Sequence, residues 1–196
     1  MKHLLITGFD PFGGETINPS WEAVSRLPDV IGEYRLTKLQ IPTVFGRAAE
    51  AVLAAAGQDR PDVILCVGQA GGRDAVTPER IAINIASAAK PDNAGNQPRE
   101  ESILPGGPDG CFSTVPVRSM ADAITAAGLP GRVSNTAGTF VCNDTLYRLL
   151  QHYAGSGTRV GFLHVPHLPQ QAQLDAPSME LTQIVAALTA AIGVLG

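Results

Sequence analysis

With 196 residues, a formal net charge of −4 and a pI near 5.5, the chain is long enough for one α/β domain with a sizeable core, spanning residues 1–196, and short for two. Its 14 Lys and Arg residues form no cluster longer than a pair, which argues against a nucleic-acid or anionic-membrane partner. No apolar run reaches the length of a membrane span and the opening MKHLLITGFDPFGG breaks at Gly8, too early for a signal peptide, so a cytoplasmic protein is expected.

Taken in chain order, the predicted elements alternate between strand and helix. Residues 4–7 read as a first strand, and Asn18-Pro19 forms an N-cap and N1 pair for a helix through residue 27. Residues 34–40 form a second strand and the alanine-rich stretch 44–56 a helix. Residues 63–67 are a continuous apolar run of the kind found in central parallel strands. The alternating Ile81, Ile83 and Ile85 predict a strand over 81–85. The polar, Pro- and Gly-rich stretch 90–109 is long for a plain connection and predicts a functional loop or lid. Ser119 is placed as the cap of a helix to residue 127, with Gly128 after it. Leu146, Leu149, Leu150 and Tyr153 lie at helical spacing behind Cys142, and residues 160–163 read as a short buried strand. Pro177-Ser178 opens a last apolar helix to about residue 195, with Leu181, Ile184, Val185, Leu188 and Ile192 facing the sheet. The pattern predicts a three-layer α/β/α sandwich around a mostly parallel central sheet, with no internal repeat and no linker.

Three cysteines, Cys66, Cys111 and Cys142, show no CxxC spacing, so neither a disulfide framework nor a structural metal site is expected. Cys66 reads as a buried core thiol and Cys111 as a loop residue. Cys142 differs, because SNTAGTFVCNDT sets it where a small-residue loop meets a helix start. Unpaired N–H groups and the positive end of the helix dipole there can lower a thiol pKa and bind an oxyanion. The plain alternative is a small buried hydrophobe.

A cysteine nucleophile needs a base, and there are four histidines. His3 sits in the first strand as a surface or edge residue. His152 is on the same helix as Cys142, roughly 15 Å away at the usual rise per residue. His164 stands at the carboxyl end of strand 160–163, where open α/β sheets line their ligand crevice. His167 reads as a loop residue. Glu79, in VTPERIAIN, can be the carboxylate that orients such an imidazole, or a solvated residue paired with Arg80 or Arg73.

The blocks TGFDPFGGETINPS, GQAGGRDAVTPERIAIN, TAGTFVCND and FLHVPHLP resemble, in order and spacing, those of the type I pyroglutamyl peptidases, also called pyrrolidone carboxyl peptidases. The resemblance covers nearly the whole chain. It implies a cysteine exopeptidase that removes N-terminal pyroglutamyl residues from small peptide substrates without metal or organic cofactor. Glu79, Cys142 and His164 match the family's catalytic glutamate, nucleophile and base. Phe9, Phe12 and Phe140 match its lactam pocket, and Asn18, Gln69 and the Val141 backbone its polar contacts. A homo-oligomer, commonly a tetramer, is implied as well. One departure stands out: SAAKPDN places Ala89 where the family carries an arginine near its active site, beside Lys90, with Arg73 or Arg80 able to approach from another direction.

Two other classes use glycine-rich loops after strands: an anion-binding α/β module and a phosphate-using nucleoside enzyme. GFDPFGG and GQAGGR lack both the GK[ST] ending of a P-loop and a GxGxxG entering a helix, and neither class gives Cys142 a role.

Overall fold

The computed structural model describes residues 1–173 and 175–196. The elements are β1 (Lys2–Phe9), α1 (Pro19–Ser25), β2 (Val30–Ile31), β3 (Tyr34–Ile41), α2 (Arg47–Asp59), β4 (Val63–Gln69), β5 (Thr77–Pro78), β6 (Ile81–Ile83), β7 (Gly110–Phe112), α3 (Val117–Ala126), α4 (Val141–His152), β8 (Arg159–Val165) and α5 (Leu181–Ile192). The main sheet has six strands in the order β2-β3-β1-β4-β8-β5. β3, β1, β4 and β8 run parallel, and the short β2 and β5 close the two edges antiparallel.

Strand alternation assigns each face its own core. Leu4 and Ile6 of β1, Val63, Leu65 and Val67 of β4, and Leu163 and Val165 of β8 pack with Ala23 and Val24 of α1, Met120 and Ile124 of α3, and Ile184 and Leu188 of α5. On the opposite face Leu5 and Phe9, Ile64 and Cys66, and Val160 and Phe162 pack with Val52 of α2 and Val141, Leu146 and Leu149 of α4. The strands are apolar throughout because both faces are covered. The result is the three-layer sandwich read from the sequence.

Several boundaries shift for local reasons. Asn18 caps α1 as expected, its Oδ1 accepting from the Ser20 N–H. α2 begins at Arg47 rather than at 44, because the Gly46 N–H donates to Asp144 Oδ2 of α4 at 2.8 Å. α3 begins two residues ahead of Ser119, after Pro116, which brings no N–H that would need a cap. α5 begins at Leu181 rather than at 177, where Glu180 and Gln183 form a reciprocal capping box, and ends at Ile192.

The strand expected over 81–85 does not join the main sheet. Only Ile81–Ile83 is extended, paired with β7 in a separate ribbon whose buried residue is Ala82. Its isoleucines lie half-buried, so the alternation reports a ribbon on the surface of the fold. Asn143 of α4 acts as its second partner, accepting from the Ile83 N–H at 2.9 Å and donating to the carbonyls of Ile83 and Ile85. Cys111 belongs to β7 and is half-buried against Gln151. His3 is buried rather than exposed: β1 lies inside the sheet, and the ring meets Thr37 Oγ1 and the Asp59 carbonyl. The 90–109 stretch is tied down rather than free. Asp92 accepts from the backbone of Phe45, Ala94 and Asn96, and Ala86 and Glu101 exchange backbone hydrogen bonds.

Candidate active site

The carboxyl ends of β1, β4 and β8 and the amino end of α4 converge on one cavity of about 260 Å³. Its walls include Phe9, Phe12, Asn18, Gln69, Phe140, Cys142 and His164. Residues spread over more than 150 positions of sequence are thus brought together where a parallel sheet leaves its crevice. A space of this size suits one small residue rather than a drug-sized ligand.

Cys142 is the second residue of α4 and belongs to its first turn, whose N–H groups have no partner within the helix. Its thiol packs on Gly68 of β4: a Cβ placed there would lie 2.8 Å from Cys142 Sγ and 2.8 Å from the Phe162 ring. Glycine at 68 is what allows the sulfur to sit on the strand. That burial, reinforced by the Glu79 charge, pushes the Cys142 thiol far up. The helix start by itself favours the thiolate, whereas desolvation and the Glu79 charge favour the thiol. A helix N-terminus is worth up to about 2 kcal/mol to a negative charge. Cys142 is only half-buried and lines the cavity, and the desolvation it meets there acts against the helix dipole. Cys66, beneath the site, is pushed up to about 12 by the same cause.

His164 lies on the same face of β8 as Phe162, whose ring is 4.8 Å from it between centroids. Its Nδ1 is 2.7 Å from Glu79 Oε1. Burial lowers the His164 pKa, partly offset by the hydrogen bond and charge of Glu79. Glu79 reaches it because β5 runs antiparallel to β8 with Thr77 opposite His164, and because the Glu79 N–H donates to the Phe162 carbonyl at 2.9 Å. The carboxylate is fully buried, and its Oε1 also accepts from Arg73 Nη1 at 2.6 Å. Arg73 is bracketed by Thr77 Oγ1 and by the Thr136 carbonyl, and it too lines the cavity. A buried carboxylate without a cation would be costly, so Arg73 makes the position of Glu79 tenable.

The sequence weighed Arg73 only as a surface partner or a stand-in. The structure brings it to the site through Glu79, while Arg80 turns away to Asn135. Ala89 and Lys90 line a second cavity of about 500 Å³ that shares Phe12, Gln69 and Phe140 with the first.

The aromatic walls are held by one another. Phe12 and Phe140 lie 6.0 Å apart between centroids, Phe45 meets Phe140 edge-on at 5.3 Å, and Phe9 leans on Phe162 at 6.2 Å. The Val141 side chain is buried in the core, which leaves only its backbone for any ligand. Asn18 is largely committed, its oxygen to Ser20 and an amide N–H to the Asp10 carbonyl. His167, in the loop after β8, is half-buried, with its Nε2 2.9 Å from Gln69 Nε2.

The chain is similar to known proteins over nearly its whole length. The pyroglutamyl peptidase family model matches residues 2–196. A pyrrolidone-carboxylate peptidase of Levilactobacillus brevis is 54% identical over 194 residues, 96% of this chain and 95% of that protein. The crystal structure of Bacillus amyloliquefaciens pyroglutamyl peptidase I superposes with a TM-score of 0.96 at 46% identity, covering 100% of this chain and 97% of the other. Pyrrolidone carboxyl peptidase from Thermococcus litoralis gives 0.94 at 33% identity, covering 100% and 93%.

Proposed function

The chain belongs to the pyroglutamyl peptidase family, and on that premise we propose that residues 1–196 act as one catalytic domain, a cysteine exopeptidase that removes the N-terminal pyroglutamyl residue of peptides through Cys142, His164 and Glu79. The observation that carries this reading is the shared cavity of Cys142 and His164, with Glu79 on the far nitrogen of the imidazole.

The electrostatics imply a neutral resting pair. His164, with its pKa lowered, is unprotonated near neutral pH, and the Cys142 thiol keeps its proton until substrate arrives. His164 then takes that proton as sulfur attacks the pyroglutamyl carbonyl, and Glu79 stabilises the imidazolium that forms. The free N–H groups at the start of α4 receive the oxyanion. The imidazolium protonates the leaving amine, and a water activated by His164 hydrolyses the thioester. Phe9, Phe12 and Phe140 enclose the uncharged ring, while Gln69, Asn18 and the Val141 backbone are its polar contacts.

Hydrolysis of pyroglutamyl-coumarin amide, with prolyl-coumarin amide as control, tests the reading: cleavage of the first alone is expected, and equal cleavage of both would sink the lactam pocket. Alkylation by iodoacetamide tests the proton inventory. Because the thiol is raised, the rate is expected to climb with pH through the alkaline range; a plateau already reached in mild acid would show a preformed thiolate–imidazolium pair instead. The acid limb of kcat/KM belongs to His164 and is expected below the ordinary imidazole value of about 6.5, since its pKa is lowered in the fold.

Among the described residues no helix is long and apolar enough to cross a membrane. Action in the cytoplasm and assembly into a homo-oligomer, commonly a tetramer, complete the proposal. The exposed Phe112, Leu104 and Ile85 on and beside the β6–β7 ribbon offer apolar surface for such contacts. Light scattering that reports a monomer at micromolar concentration would overturn the assembly.

A further inference from the structure

Two residues beyond the end of β8, the His167 ring lies directly on the backbone of Gly71. A Cβ at position 71 would come within 2.5 Å of its Cε1 and 2.6 Å of its Nε2. Held there, His167 brings Nε2 to 2.9 Å from Gln69 Nε2. Two nitrogens at that distance require one donor and one acceptor, and the sense is set by a chain of hydrogen bonds that begins on the backbone. The Leu168 N–H can only donate, and it donates to Gln171 Oε1 at 3.2 Å. That turns the Gln171 amide nitrogen toward the Ile17 carbonyl at 3.3 Å, which can only accept, and toward one end of the Gln69 carboxamide at 3.4 Å, which must then be its oxygen. Gln69 therefore shows its oxygen to Gln171 and its NH2 group to His167. His167 accepts at Nε2 and carries its ring hydrogen on Nδ1.

Gln69 lines both the catalytic cavity and the larger one beside it. After His167 and Gln171 are served, it keeps one amide hydrogen and one lone pair. Asn18, the other carboxamide of the wall, has its oxygen taken twice by Ser20. We infer that His167, together with Gln171, is a positioning residue that fixes which end of the Gln69 carboxamide meets the lactam of the substrate. The inference rests on the pyroglutamyl-peptidase reading. A lactam presents N–H and C=O side by side, so a carboxamide held in one sense answers it, and one turned over sets donor against donor. That mismatch leaves polar groups unpaired in a small apolar cavity. Gln69 meets the ring rather than the reacting carbonyl, so the loss falls on ground state and transition state alike and appears in KM.

The test compares His167→Phe, which keeps an aromatic ring and removes the acceptor, with His167→Gln, which offers an oxygen in its place. For pyroglutamyl-coumarin amide, His167→Phe is expected to raise KM about tenfold with kcat within about twofold, and His167→Gln to recover most of that loss. A KM unchanged in His167→Phe, or kcat and KM lost together in both variants, would overturn the role. Nitrogen-15 spectra of the histidine ring in the wild-type protein supply a second readout independent of turnover. A hydrogen on Nδ1 of His167 is expected, and one on Nε2 overturns the inference. If the wild type cleaves no pyroglutamyl amide, the proposed reaction fails by itself. The ring spectrum and the affinity of wild type and His167→Phe for 2-pyrrolidone still decide the role of His167.

Discussion

Cys142→Ser is expected to lower kcat/KM for pyroglutamyl-coumarin amide by on the order of 10⁴-fold or more, with the fold intact. Serine is close to cysteine in shape, and the contact with Gly68 and Phe162 tolerates the smaller oxygen. What is lost is the nucleophile. A hydroxyl is harder to deprotonate than a thiol, and the neighbourhood that raises Cys142, desolvation plus the Glu79 charge, opposes an alkoxide even more strongly. His164 cannot make up the difference, because burial lowers its pKa and so makes it a weaker base. The circular dichroism spectrum and melting temperature should stay close to wild type, which separates lost chemistry from lost structure. Mass spectrometry of the wild type quenched in acid should find a pyroglutamyl adduct on the peptide carrying Cys142. Retention of a tenth or more of the activity in Cys142→Ser would remove the cysteine from the reaction.

The second large effect is expected at Glu79. Glu79→Gln keeps the volume and an oxygen able to accept from one neighbour, yet removes the charge that faces both Arg73 and His164. The imidazolium formed during attack then sits beside an uncompensated Arg73 guanidinium, whose charge already lowers His164 in the intact site. A loss of about 10³- to 10⁴-fold in kcat is expected, comparable in kind to removing the orienting carboxylate of a serine-protease triad. The acid limb of kcat/KM should move to lower pH, because the partner that raises His164 is gone while the one that lowers it remains. An unmoved limb would show that Glu79 serves the fold rather than the imidazole. Arg73→Met is the complementary cut: it strands the buried carboxylate and should cost stability as well as rate.

Much of this molecule was legible before any coordinates. Continuous apolar runs such as 63–67 marked central strands, Asn18-Pro19 marked a helix start, and a cysteine behind a small-residue loop marked a helix N-terminus, because each depends on neighbours within a few residues. The motif blocks singled out Glu79, Cys142 and His164, and the structure gathers these three around one cavity and its wall. Tertiary structure alone decided the rest. It placed the half-buried isoleucines of 81–83 in a separate ribbon held by Asn143, and it drew Arg73 onto Glu79 through β5 and the Thr136 carbonyl. It set the thiol of Cys142 half-buried in a cavity wall, where desolvation opposes the helix dipole. It also gave the loop residue His167 a partner in Gln69. The physical reason is common to all four. Helix caps and strand patterns are short-range and written in local residue order, whereas desolvation and side-chain pairing depend on which distant segments the sheet brings within a few ångströms.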